Sequence, residues 1–148
     1  MDSDLIQLTI ERLKDPSNGK PPWIDVKEID SLTQLHEKKS ALLRTPALFV
    51  FLVSDSPKPD VRGSGPYLQD CVATVGVVIV TKSTNSKPID WQPLRKELRQ
   101  RLFGWTPDDE YEPFWLGPGR LMGISNGRAD WFDQFITEYT EDQNRYGS

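Results

Sequence analysis

Asp70–Lys82, DCVATVGVVIVTK, is the stretch whose reading decides the fold. At period two, Val72, Val78 and Val80 point to one side, and Ala73, Val75, Val77 and Ile79 to the other. Both sides are apolar, which predicts a strand in the middle of a sheet rather than at its edge. Its five valines argue against a helix. A second run, Ala47–Val53 (ALFVFLV), is also apolar on both sides. Two such strands need cover on both faces of their sheet.

Working outward, Ser54–Gln69 joins the two strands with three prolines and two glycines, too long for a tight turn. Loops of this length carry function or lack fixed structure. Upstream, Asp4–Lys14 reads as a helix: Ile6, Ile10 and Leu13 share a face, Ser3 or Asp4 caps the start, and Pro16 stops it. Asp15–Pro22 is a loop. Trp23–Val26 is a short strand or an extended segment that lays Trp23 on the core. Ser31–Gln34 has capping-box spacing, predicting a short helix to about Lys38 with Leu32 and Leu35 inward. Arg44-Thr45-Pro46 then leads into the first strong strand.

Downstream, Ser83–Lys87 reads as a polar turn, and Asp90 caps a helix through about Phe103. Trp91, Leu94, Leu98 and Leu102 form its apolar stripe, Gly104 ends it, and Glu97 is placed to pair with Arg101. Trp105–Pro113 is an acidic loop. Phe114–Leu116 and Arg120–Ser125 flank Gly117-Pro118-Gly119 as two strand segments or one kinked strand. Asn126-Gly127 is a strong hairpin signal. Arg128–Tyr139 fits helix or strand by periodicity, and the hairpin signal selects strand. Residues 140–148 are expected to form a flexible tail.

The order is helix, strand, strand, helix, strand, strand. This is an α+β fold with about four strands and two main helices able to pack on one face. The other face lacks an evident cover, which favours a partner or self-association.

Composition bounds the function. With 148 residues, a single domain spanning 1–148 is expected. The formal charge of −4 and pI near 5.0 argue against nucleic-acid binding driven by overall charge. No stretch approaches the ~20 apolar residues of a membrane span. The start, MDSDLIQL, lacks a basic segment followed by an apolar one, so no signal peptide is expected. The single cysteine, Cys71, leaves no internal disulfide and fits a reducing compartment.

Catalytic machinery is not evident. His36 is the sole histidine, and Cys71 opens a buried strand, where an inert thiol is preferred to a nucleophile. Asp108, Asp109, Glu110 and Glu112 lack EF-hand spacing, so a solvated acidic loop is preferred to a metal site. Phosphate-cradling glycine patterns are absent. Arg95, Lys96, Arg99 and Arg101 are spread around their helix and read as a solvated face. No catalytic residue, cofactor or metal is expected.

The layout as a whole carries a resemblance. Arg44-Thr45-Pro46-Ala47 enters an apolar strand, then a long loop and a valine-rich strand follow. Pro93-Leu94-Arg95 leads to Leu102-Phe103-Gly104-Trp105-Thr106-Pro107, and an aromatic end follows, Ala129-Asp130-Trp131-Phe132-Asp133-Gln134-Phe135. From roughly Leu5 to Tyr139 the chain resembles the tail terminator (tail completion) proteins of long-tailed bacteriophages. The resemblance implies a mostly antiparallel sheet with helices on one face. It also implies a ring, usually of six subunits, that caps the tail tube, stops its polymerisation and offers the surface that joins the head. The implied partners are further copies of the chain, the tail tube protein and a head-completion or connector protein. The implied location is the head-proximal end of the virion tail, after synthesis in the bacterial host cytoplasm, with no membrane.

Six copies at −4 each carry a formal −24, so DNA would pass through the ring without specific binding. The expected interface or channel residues are Asp60, Arg62 and Tyr67 in the long loop, Asp108, Asp109, Glu110 and Glu112 in the acidic loop, and Arg120. Competing readings are another head–tail adaptor or tube-associated protein, a small enzyme using the acidic loop with Arg120, and an interaction domain unrelated to phage.

Overall fold

The computed structural model describes residues 4–17, 19–41, 44–59, 67–82, 88–125 and 127–143. The expectations for Ser3, Asp60, Arg62, Ser83–Lys87 and Asn126 lie outside the described residues. Helix α1 is Leu5–Lys14 and strand β1 is Asp25–Glu28. A single 3-10 turn, Leu32–Gln34, runs into α2, Leu35–Ser40. Then come β2 (Ala47–Pro57), β3 (Leu68–Lys82), α3 (Gln92–Leu102), β4 (Trp115–Leu116), β5 (Arg120–Ser125) and β6 (Arg128–Asp142).

β3 sits between β2 and β6, antiparallel to both, as its two apolar faces require. Its alternation matches the sequence reading. Ala73, Val75, Val77 and Ile79 enter one core cluster, and Val78 and Val80 the other. Gly76 is needed between them, because a Cβ there would lie 2.6 Å from the Phe132 ring and 2.9 Å from that of Phe51. Arg128–Tyr139 is a strand, and it continues past the expected tail boundary to Asp142. The Ser125↔Arg128 pairing leaves a two-residue turn, with Gly127 at φ +74°. Ser54–Pro57 and Leu68–Gln69 belong to the strands, so the loop between β2 and β3 is shorter than the sequence implied.

The sheet corrects the four-strand expectation. Six strands are paired in the order β1-β2-β3-β6-β4, with β5 also on β6, and β1 runs parallel to β2. β1 is hard to read because DVKE buries Val26 but no other side chain fully. β4 is only two residues long. A parallel neighbour requires a crossover rather than a hairpin, and here that crossover contains α2. The two main helices share one face as expected, but the short α2 lies on the other. α1 and α3 share a face with Trp23, Leu48, Val50, Phe135 and Tyr139. Ile29 and Leu35 pack on the opposite face, against Ala47, Phe49, Phe51, Val78, Val80 and Phe132.

The two long helices follow their sequence signals, except at the start of α3. Its N-cap is Trp91, which makes no side-chain cap bond, and Asp90 Oδ1 accepts from Gln92 N–H at 3.1 Å. Asp4 Oδ1 accepts from Ile6 N–H (3.0 Å) and Gln7 N–H (3.2 Å) to cap α1. Leu98 and Leu102 are fully buried, each burial stabilising by about 1.5–3 kcal/mol, while Trp91 and Leu94 pack at the margin. Glu97 and Arg101 pair at 3.0 Å, as their spacing predicts.

The solvated-face reading fails for two of the four basic residues of this helix. Arg101 is buried and donates to the Asp15 (2.7 Å) and Gly19 (2.8 Å) carbonyls, tying α3 to the loop after α1. Arg95 makes a two-point bond to Asp133 on β6, with both contacts at 3.0 Å. Lys96 and Arg99 remain exposed. Ser31 makes no side-chain cap bond; Gln34 Oε1 instead accepts from Asp30 N–H at 2.9 Å.

Candidate functional site: an acidic pocket beside an uncovered sheet face

α2 covers only part of its face of the sheet. Phe51 and Phe132, stacked with centroids 5.7 Å apart, mark the limit of that cover. Beyond them Val53 and Trp115 are exposed (38% and 39%), and Val72, Thr74 and Ile136 are half-buried. Thr74, Ile136 and Trp115 are successive register partners across β3, β6 and β4, so they form one row. Gly117 continues it, since a Cβ there would meet Ile136 Cδ1 at 3.1 Å.

A β-bulge between Leu52 and Ser54 bends β2 at this point. The inserted residue changes the parity of the strand, so Asp55 pairs opposite Ala73 and turns to the α1–α3 side. There Tyr139 donates its hydroxyl to the Asp55 carboxylate, with both oxygens at 2.8 Å. Burial is the main cause that raises the Tyr139 pKa, helped by the Asp55 carboxylate. Tyr111 packs edge-on against Tyr139 at 5.5 Å, and its pKa is also raised by burial and then by Asp108 and Glu110.

A raised folded-state pKa stabilises fully below the unfolded value of 10.0 and is lost as pH climbs through the folded value. Stability is therefore expected to fall above pH ~10, and Tyr139→Phe should flatten that fall while lowering stability at pH 7. Denaturant midpoints between pH 8 and 11 check this; parallel curves for the two proteins would contradict it.

Next to the row, the loop after α3 folds back onto β6. Glu112 N–H donates to the Glu138 carbonyl (2.9 Å), and the Thr137 hydroxyl donates to the Glu112 carbonyl (2.6 Å). The result is a depression of about 480 Å3 lined by Asp70, Asp109, Glu110, Glu112, Glu138, Tyr139 and Thr140. Asp70 and Glu138 lie outside the acidic stretch visible in the sequence and are brought in by register.

Lys58 pairs with Glu138 at 2.5 Å, and the Glu138 partner raises the Lys58 pKa. The Thr140 hydroxyl donates to Asp70 at 2.8 Å. Glu110 Oε2 is buried with no hydrogen-bond partner among the described residues. Among those residues, no group of three or more His, Cys, Asp or Glu side chains is placed to hold a metal ion.

The remaining candidates scatter. Asp108 caps the turn, accepting from Glu110 N–H at 2.8 Å, and does not line the depression. Tyr67 is exposed where β3 begins; its carbonyl accepts from Gln143 N–H (2.9 Å) and its N–H donates to Gln143 Oε1 (3.3 Å). Arg120 lies over the Phe132 ring at 5.6 Å. Its register partner, Phe132, is six residues from Glu138 along β6, roughly 20 Å at strand rise. An enzyme built on the acidic loop with Arg120 therefore lacks its geometry. Cys71 is buried, and burial raises its pKa, as an inert thiol requires.

Sequence reasoning missed Asp70, Glu138 and Trp115 as parts of this surface. The exposed Trp115-Leu116 pair beside the GPG turn was the signal available for the last of these.

No helix among the described residues is long and apolar enough to cross a membrane. No curated protein matches the chain. A family model for the phage tail terminator protein matches residues 3–145, nearly the whole chain. The valine-rich central strand, the helix ending in Leu-Phe-Gly-Trp and the aromatic last strand thus lie inside one matched span, and the chain belongs to the phage tail terminator family, a family of structural virion proteins.

Proposed function

We propose that this protein forms a closed ring on the head-proximal end of the phage tail tube. The ring ends tube polymerisation, offers the surface that receives the head, and lets DNA pass without holding it. The observation that carries this reading is the family match over residues 3–145. The half-covered sheet face supports it: an apolar row of this kind on a chain of this size marks an interaction surface. Six subunits are the number that the family resemblance implies, and the acidic composition of each copy suits a channel that repels the phosphate backbone.

Native mass measured across concentration, with and without purified tail tubes, tests the reading. A closed hexamer, or a monomer that becomes a ring on tubes, is expected. A monomer indifferent to tubes would overturn it. Open stacked polymers would point instead to a tube-associated protein.

A further inference from the structure

We propose that the half of the α2-side sheet face left open among the described residues seats a second copy of this chain, docked head to tail through the outer ridge of its α3. This rests on the ring reading above and names the two surfaces that build the ring.

The surfaces lie on opposite sides of the domain. Strand register places Asp70, Val72 and Thr74 of β3 beside Ile136, Glu138 and Thr140 of β6, all on the α2 side. Leu98 and Leu102 bury α3 against the other side. Gln92, Lys96, Arg99, Gln100 and Phe103 therefore face away from the sheet, and Phe103 is 58% exposed. Two different surfaces that face opposite ways suit a heterologous contact, in which each copy uses one surface on each neighbour. Such contacts close into rings when the rotation permits.

Charge selects the occupant. The sheet side carries Asp70, Asp109, Glu110 and Glu112, with a buried Glu110 oxygen that has no hydrogen-bond partner among the described residues. The ridge offers Lys96 and Arg99, which form no ion pair among those residues. Sheet against sheet would oppose acid to acid, and ridge against ridge base to base. Ridge on sheet pairs opposite charges. It also sets an exposed aromatic, Phe103, opposite an apolar row holding Trp115, the residue types that anchor interfaces.

Charge exchange tests this. In K96E/R99E both surfaces become acidic, and in D70K/D109K/E112K both become basic. All five side chains are exposed, so both variants are expected to fold, which circular dichroism checks. Each alone should lose ring assembly on tail tubes roughly tenfold or more at low salt. Mixed in equal amounts, they should recover it as alternating rings, because every junction again joins unlike charges. A chain carrying all five substitutions should assemble with itself.

Native mass spectrometry distinguishes mixed from uniform rings. Wild-type rings with variants that assemble normally would overturn the interface and leave the ring reading standing. Loss without recovery on mixing would also overturn it, assigning these charges to the tube or to DNA. A wild-type chain that never forms rings would overturn both.

Discussion

Replacing Asp133 by alanine is expected to cost about 3–5 kcal/mol, the range for breaking a buried ion pair by removing one partner. Asp133 is 2% exposed and binds Arg95 at two points, and one of the same oxygens accepts from Trp131 Nε1–H at 3.1 Å. The Arg95 guanidinium also lies 4.5 Å from the centroid of the Trp131 ring, and Trp131 packs on Trp91 at 5.8 Å. Removing the carboxylate leaves a charge with a 19% exposed side chain facing no counter-charge, and it frees the start of α3 from β6.

The connection between β4 and β5 is affected too. Gly119 sits so close that a Cβ would lie 2.2 Å from Asp133 Oδ1. For a domain of this size the loss corresponds to a fall in Tm of roughly 10 °C. Thermal and denaturant unfolding measure it. A loss below ~1 kcal/mol would mean that Arg95 reaches solvent without cost, as surface pairs do.

The second large effect is expected on the other face. Lys39 of α2 is ion-paired with Asp130 of β6, and their side chains are 6% and 9% exposed. Lys39→Met keeps the length of the side chain and removes its charge, stranding a carboxylate beneath α2, again at about 3–5 kcal/mol. The double variant K39M/D130L should recover most of that loss, because buried pairs replaced by apolar residues are often neutral or stabilising. A double-mutant cycle by urea denaturation gives both numbers. Single and double variants of equal stability would show that the pair does not fasten α2 to the sheet.

The partners of Arg95 and Arg101 mark where the sequence stops being legible. The strands β3 and β6, the apolar stripe of α3 and the turn before Arg128 are local patterns, and each appears in the structure where its period or turn residues put it. Asp133 lies 38 residues from Arg95, and the Gly19 carbonyl 82 residues from Arg101. No periodicity along α3 distinguishes those two arginines from Lys96 and Arg99.

β1 was obscured for a related reason. As an edge strand it buries one side chain fully, and the pattern DVKE is what a polar loop also shows. Its parallel pairing then follows from the crossover through α2, a topological fact with no local signature. The acidic loop was visible as acidic. Its pocket was not, because Asp70 and Glu138 join it only through the β3–β6 register, and the bulge in β2 that hands Asp55 to Tyr139 depends on one inserted residue.

The position of β3 between its two neighbours has a consequence during synthesis. Its first neighbour, β2, leaves the ribosome ahead of it, so that edge closes as soon as β3 emerges. The second edge waits for β6, whose first paired residue, Arg128, follows Lys82 by 46 positions. At ~5–20 residues per second the wait is roughly 2–9 s. Throughout it the most β-prone stretch of the chain, Val75–Val80, presents an open row of amide and carbonyl groups. Pairing over so large a separation is also intrinsically slow. The strand that centres the mature sheet is therefore the nascent chain's main open edge until β6 is made.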